Sequence, residues 1–295
     1  MRRLAFLALA AIVMVAGCRD SGAGGDAAVT AVATTTQVAD LVHEVGGPRV
    51  SVDGILRPNS DPHEYEPRPS DAAALTRAEL VFRSGGDLDG WLDQVVDNAG
   101  GDARQVTLID SVRRLGDDPH WWQDPVRAEK AATAIGRAFA AAGLPDRSAA
   151  YVARLKRLDA GVRACMDKVP AGERKLVTSH DALGYYAKRY DIRVIGAVIP
   201  ALTTAAQPSA GDVANLVATI RREGVKTIFA ESSVNPKVEE AIARETGAKI
   251  GKALWADSLG PTGSDGATYI SSIEANTRAL VQGFTGGAVD CPVDA

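Results

Sequence analysis

Residues 28–56 read AVTAVATTTQVADLVHEVGGPRVSVDGIL, and this stretch decides the fold class. Ala28 to Ala33 is a short run of small and β-branched residues, as a buried strand requires. From about Thr35 the period changes: Val38, Leu41, Val42 and Val45 recur at spacings of three and four, one face of a helix. Gly46-Gly47 stops that helix, and Arg49 to Leu56 is a second strand. A strand, a helix and a strand with short joints imply a parallel pair, because a parallel return needs a crossover long enough to hold a helix.

The alternation continues outward from this unit. Ser70 to Glu79 is predicted helical with Ser70 as N-cap, Leu80 to Arg83 a strand, Trp91 to Asn98 a helix and Val106 to Ile109 a strand. Between Asp124 and Val169 no strand pattern is found. Instead Pro145 and Pro170 frame one helix whose apolar stripe is Tyr151, Leu155, Leu158, Val162, Cys165 and Val169. At 1.5 Å per residue it would be about 35 Å long. After Pro170 strands are expected at Lys175–Thr178, Arg193–Ile199, Thr227–Ala230 and Lys249–Leu254. Helices are expected at Ala182–Tyr190, Ser209–Glu223, Pro236–Thr246 and Tyr269–Phe284. The expected class is α/β, with two (βα)4-like lobes (residues 28–123 and 171–295) and a linker with a long helix (124–170).

Residues 1–17 read as a leader rather than as part of the fold. Arg2 and Arg3 precede the apolar run Leu4–Ala16, which is too short to span a bilayer comfortably and suits a signal peptide. It ends in Val15-Ala16-Gly17-Cys18, which resembles a bacterial lipobox, with Cys18 as the acylated residue. Residues 18–27, rich in Gly, Ser and Asp, then read as a flexible tether. The expectation is an extracytoplasmic protein held at the membrane by a lipid on Cys18. The formal net charge of −4, without basic clusters, argues against nucleic-acid binding. Cys165 and Cys291 sit in no metal-ligand spacing; in an oxidising compartment they form a disulfide, or else remain two buried thiols.

The chain has four histidines, and three share one setting. His63 follows the second strand in Asp61-Pro62-His63-Glu64-Tyr65-Glu66-Pro67. His120 follows the fourth in Asp117-Asp118-Pro119-His120-Trp121-Trp122-Gln123-Asp124-Pro125. His180 ends the first strand of the second lobe in Thr178-Ser179-His180-Asp181. Ligands of open α/β sheets bind outside the carboxyl ends of the strands, so three imidazoles at that edge make a candidate metal site. Asp257, after the last strand, is the expected fourth ligand. Glu231, after the third strand of the second lobe, is the rival, and is favoured as an acceptor for an imidazole N–H. Three neutral imidazoles and one carboxylate suit zinc and tolerate other first-row metals. His43, inside the first helix, serves as the contrast and is expected to be exposed.

Those motifs resemble the metal-binding cluster A-I family of ABC substrate-binding proteins, the zinc and manganese receptors (solute-binding protein family 9). Asp61 to Pro67 is similar to its DPHxYEP element, and His120, Trp122, Asp124 and Pro125 to PHxWxDP. His180, Asp181, Tyr185 and Tyr186 are similar to its HDA-x-GY segment, and Glu231 to Lys237 to ESS-x-x-PK. The resemblance covers the chain from about Ala28 onward. It implies a C-clamp around a rigid linking helix and a metal held between the lobes by His63, His120, His180 and Asp257. It further implies a monomeric receptor that delivers its ion to an ABC permease driven by a separate ATPase subunit. Manganese-selective members typically carry Glu where this chain has His180, which points to Zn(2+) as cargo, with Mn(2+) the alternative. The His- and acid-rich loop of many zinc receptors is missing, so a metallochaperone is one route of loading. Two other classes compete: a zinc-dependent hydrolase, disfavoured because HExxH and G-x-S-x-G are both absent, and a metal-binding surface adhesin.

Overall fold

A computed structural model describes residues 29–293; the leader, Cys18 and the tether lie outside the described residues. The first sheet holds β1 (Val29–Ala33), β2 (Val50–Gly54), β3 (Leu80–Arg83) and β4 (Arg104–Thr107), all parallel, in the order β2-β1-β3-β4. Helix α1 (Thr36–Gly46) crosses between β1 and β2. Thr35 caps it by accepting from Val38 N–H, and Val38, Leu41, Val42 and Val45 are fully buried beneath it. Burying a Val or Leu side chain completely stabilises by about 1.5–3 kcal/mol, so that face alone commits the segment to the sheet. Helices α2 (Pro69–Arg77) and α3 (Trp91–Ala99) complete the unit. Ser70 is not the cap of α2: the cap falls two residues earlier, at Arg68, with Pro69 in the first helical position and the Asp71 carboxylate accepting from Arg68 N–H at 2.7 Å.

The second sheet is built from β5 (Lys175–His180), β6 (Arg193–Ile199), β7 (Thr227–Ile228) and β8 (Lys249–Ile250). Parallel ladders join β5 to β6 and β7 to β8. Single parallel bridges, Thr178 with Phe229 and Glu231 with Leu254, carry the pairing across the middle and beyond the two short strands. The resulting order, β6-β5-β7-β8, repeats that of the first sheet. Helices α6 (Gly184–Arg189), α7 (Ala210–Glu223), α8 (Lys237–Thr246) and α9 (Tyr269–Phe284) accompany it. Ser209 caps α7, with Asp212 reaching back to the cap backbone.

The connecting region differs from the expected single helix. It contains α4 (Pro125–Ala141) and α5 (Ser148–Met166). The 19 residues of α5 span about 28 Å rather than 35 Å, because Arg147 ends the preceding turn and Asp167 caps the helix before Pro170. Its stripe is buried as expected, against α4 on one side and α9 on the other. A single apolar core therefore runs from Val29 and Ala31 in β1, through Leu155 and Leu158 in α5, to Leu280 and Phe284 in α9. The outer faces of the two sheets have smaller cores of their own. Cys165 and Cys291 are joined by a disulfide, which fastens the end of the chain to α5.

Candidate metal centre

Each candidate side chain reaches the cleft from the carboxyl edge of a sheet. His180 is the last residue of β5; Glu231 and Leu254 bridge just past β7 and β8, and Asp257 follows three residues later. His63 and His120 lie on the long loops after β2 and β4, each in or opening a short 3-10 turn. The two Asp-Pro-His segments fold alike. Asp61 Oδ1 accepts from the backbone N–H of His63 at 2.9 Å, and Asp118 Oδ1 from that of His120 at 2.9 Å. An Asp carboxylate that captures the N–H two residues on closes an Asx-turn, which fixes the direction in which the imidazole leaves the chain. Asp124 and Pro125 of the adjacent motif are structural: the Asp caps α4 through Val126 N–H, and the Pro opens it.

The structure brings His63, His120, His180 and Asp257 together, with one potential ligand atom from each within 4.8 Å of the others. Nε2 of His63 lies 3.3 Å from Nε2 of His120, which lies 3.4 Å from Nε2 of His180. Asp257 Oδ2 is 3.4 Å from His63 Nε2 and 3.2 Å from His180 Nε2, and its Oδ1 is 3.5 Å from His120 Nε2. Four ligands about 2.0–2.1 Å from a central ion stand at the corners of a tetrahedron whose edges are about 3.3–3.4 Å. The five distances are close to those edges, with both oxygens of Asp257 turned towards the imidazoles. His120, His180 and Asp257 are buried, and His63 is the rim residue, partly exposed. Both carboxylate oxygens of Asp257 are buried and face imidazole nitrogens at 3.2–3.5 Å with no shorter hydrogen bond, an expensive arrangement that a bound cation would relieve. His43 is exposed on α1, and Glu64 and Asp181 face solvent.

Two imidazoles are oriented from behind. Glu231 accepts from His180 twice, Oε2 from Nδ1 at 2.8 Å and Oε1 from the backbone N–H at 2.9 Å. Asp118 Oδ1 stands 2.7 Å from His120 Nδ1. A carboxylate on Nδ1 selects the tautomer whose free Nε2 lone pair faces the ion and raises its basicity. His63 has no such carboxylate behind Nδ1 among the described residues; Asp61 instead accepts at Oδ2 from the Thr204 hydroxyl across the cleft, at 2.7 Å. The role of Asp118 was legible in principle, since an Asp two residues before each loop histidine is an Asx-turn signature; Thr204 carries no such signal.

Burial alone would depress His180, but the Asp257 and Glu231 carboxylates outweigh it and push its pKa up to about 11. Asp257 is pushed up by burial, and the facing imidazoles, His120 and His180 foremost, pull it well below the usual carboxylate range. The two carboxylates that face His180 thus favour its protonated form, and a metal competes with that proton. A folded-state value above the ordinary 6.5 stabilises the cation-free protein fully below that pH, and the contribution fades as pH rises towards 11. A metal must displace this proton. Between pH 6 and pH 8 the affinity for zinc should rise about tenfold per pH unit, measured by competition with a chelator of known pH dependence; a flat profile would contradict the displacement. Replacing Glu231 by Gln should weaken zinc binding about 10–100-fold at pH 8 and flatten that profile, since the imidazolium loses a charged partner.

The family described as ZnuA, zinc-uptake complex component A, periplasmic, matches residues 31–283. The zinc-binding protein TroA of Treponema pallidum is 30% identical over 285 residues, covering 90% of this chain and 91% of that protein. The manganese ABC transporter substrate-binding lipoprotein PsaA of Streptococcus pneumoniae is 27% identical over 305 residues, covering 95% and 97%. The solved structure of the T. pallidum periplasmic zinc-binding protein TroA superposes with a TM-score of 0.78 at 27% identity, over 88% of this chain and 99% of that one.

Proposed function

The chain belongs to the family of periplasmic zinc-uptake complex component A, and on that premise we propose that it captures one Zn(2+) between its lobes for import. It is the substrate-binding component of a metal ABC transporter and not an enzyme, so a permease and an ATPase act with it. The observation that carries the choice of zinc is the donor set, three imidazole Nε2 atoms and one buried carboxylate brought within 3.2–3.5 Å of their neighbours. Three imidazoles and one carboxylate in a tetrahedral shell suit zinc, whereas manganese prefers more oxygen donors in a six-fold shell. Manganese is the second reading, favoured by relatives named for that metal.

His63 and His120 come from the first lobe, His180 and Asp257 from the second, so the ion fastens residues 28–123 to residues 171–295 across the 124–170 connection. Carboxylates brace the rings of His120 and His180 but not that of His63, so the gate is assigned to the loop of His63, which opens by releasing its hydrogen bonds to Thr204 and Leu259. Residues 1–17 serve as a lipoprotein signal and Cys18 as the acylated anchor, so the monomer works outside the cytoplasm on a short tether; no helix among the described residues is long and apolar enough to cross a membrane. Metal analysis of protein purified without added salts, followed by zinc–manganese competition, tests the proposal. One equivalent of zinc that excess manganese fails to displace is expected; one equivalent of manganese under the same treatment would make the second reading correct.

A further inference from the structure

The loop that carries Asp257 is held on its near side by Asn276, which accepts from Trp255 N–H and donates to Trp255 C=O, each at 2.8 Å, and next to Asp257 itself at the carbonyl oxygen of Ala256. Gln123 Nε2 donates to it at 2.7 Å and Trp122 Nε1 at 2.9 Å, filling both lone pairs; Gln37 Nε2 lies further off, at 3.4 Å. All three side chains are buried, Gln123 completely. The donors come from the 3-10 turn that His120 opens, so one short segment presents a metal ligand and also holds the peptide next to another. A further hold acts just beyond, where Leu259 N–H donates to Thr36 Oγ1 at 2.8 Å.

Gln123 is a costly way to fill that space. Its amide is oriented by the Ala256 carbonyl, and its own Oε1 is left buried without a partner. An apolar residue of similar volume would remove the orphaned acceptor, so the glutamine does not serve stability. What the amide does accomplish is to keep the peptide before Asp257 from receding. A cation that seeks five or six ligands needs the shell to widen before water or further oxygens can enter; a four-coordinate cation does not.

We infer that Trp122 and Gln123 are positioning residues that, by clamping the Ala256 carbonyl, hold Asp257 close against the three imidazoles and so select a tetrahedral cation over a six-coordinate one. This rests on the metal-receptor reading above and adds to it the device that discriminates among metals. The clamp acts through backbone placement alone, since neither side chain is a ligand.

The test compares the full-length mature protein with Gln123→Leu and Trp122→Phe, each of which removes one donor and keeps most of the volume. Zinc and manganese affinities are measured by chelator competition, thermal unfolding is followed without metal, and the visible absorption of the cobalt(II) form reports coordination number. For Gln123→Leu we expect zinc to bind about tenfold more weakly with manganese changed by less than about threefold, so the preference for zinc collapses. The metal-free variant should melt at the wild-type temperature or a few degrees higher, and the intense tetrahedral cobalt bands should fade. Trp122→Phe should shift the metal preference in the same direction. Equal loss for both metals, unchanged cobalt bands, or a melting temperature lowered by more than a few degrees in Gln123→Leu would each overturn the clamp. Wild-type protein that binds no divalent cation tightly would instead remove the receptor reading itself, a result the variants play no part in.

Discussion

Replacing His63 by Ala should weaken zinc binding about a hundred- to a thousandfold while leaving the fold intact. A structural zinc site contributes on the order of 10–16 kcal/mol, which over four ligands is about 2.5–4 kcal/mol each, or two to three powers of ten in affinity. His63 is the ligand to test first because it sits at the rim on a loop, with a side chain that is 6% exposed and that supports no apolar core. The corresponding change at His180 would also strand the buried Glu231 carboxylate and confuse lost ligation with lost stability. Competition titration of the His63→Ala protein, with circular dichroism as the control for folding, decides the matter. Wild-type affinity in a folded variant would show that the ion is held elsewhere.

Opening the disulfide should be the most damaging change to stability among those remote from the site. Cys165 and Cys291 are 126 residues apart, so the bridge removes a large closed loop from the unfolded ensemble. Its loss should cost about 2–5 kcal/mol, and for a chain of this size the melting temperature should fall by roughly 5–15 °C. The double variant Cys165→Ser/Cys291→Ser, measured alongside the reduced wild type, supplies the number, and both should still bind one zinc. A melting temperature within a degree or two of wild type would mean that the tail adds nothing to α5.

Much of this architecture could be read from the order of the residues, and the exceptions have physical causes. The first βαβ unit was plain because α1 carries a strong apolar stripe between two runs of β-branched residues. The helix Pro125–Ala141 has no such contrast in its sequence. Its buried face is mostly alanine (Ala128, Ala131, Ala132 and Ala138, with only Ile135 and Phe139 larger), which gives close packing against α5 but little contrast for a periodicity to stand on. The third and fourth strands of the second sheet are shorter than expected, because pairing there passes into single bridges. The four candidate ligands were legible because each follows a strand end. The hold on Ala256 was not: its acceptor is a backbone carbonyl, which every residue has, and its donors are 133 and 134 positions away.

The apolar interior that threads through both halves has a consequence for how a transporter could tell a loaded receptor from an empty one. Two bodies that pivot freely can announce their cargo by swinging shut, as jaws do. Here such a swing would draw parts of the shared interior, which includes Leu155, Leu158 and Leu280, towards water at about 1.5–3 kcal/mol for each side chain exposed, a cost set directly against the binding of the ion. An interior shared in this way favours small local changes over a wide hinge, so the receptor's outline should be almost the same whether it carries an ion or not.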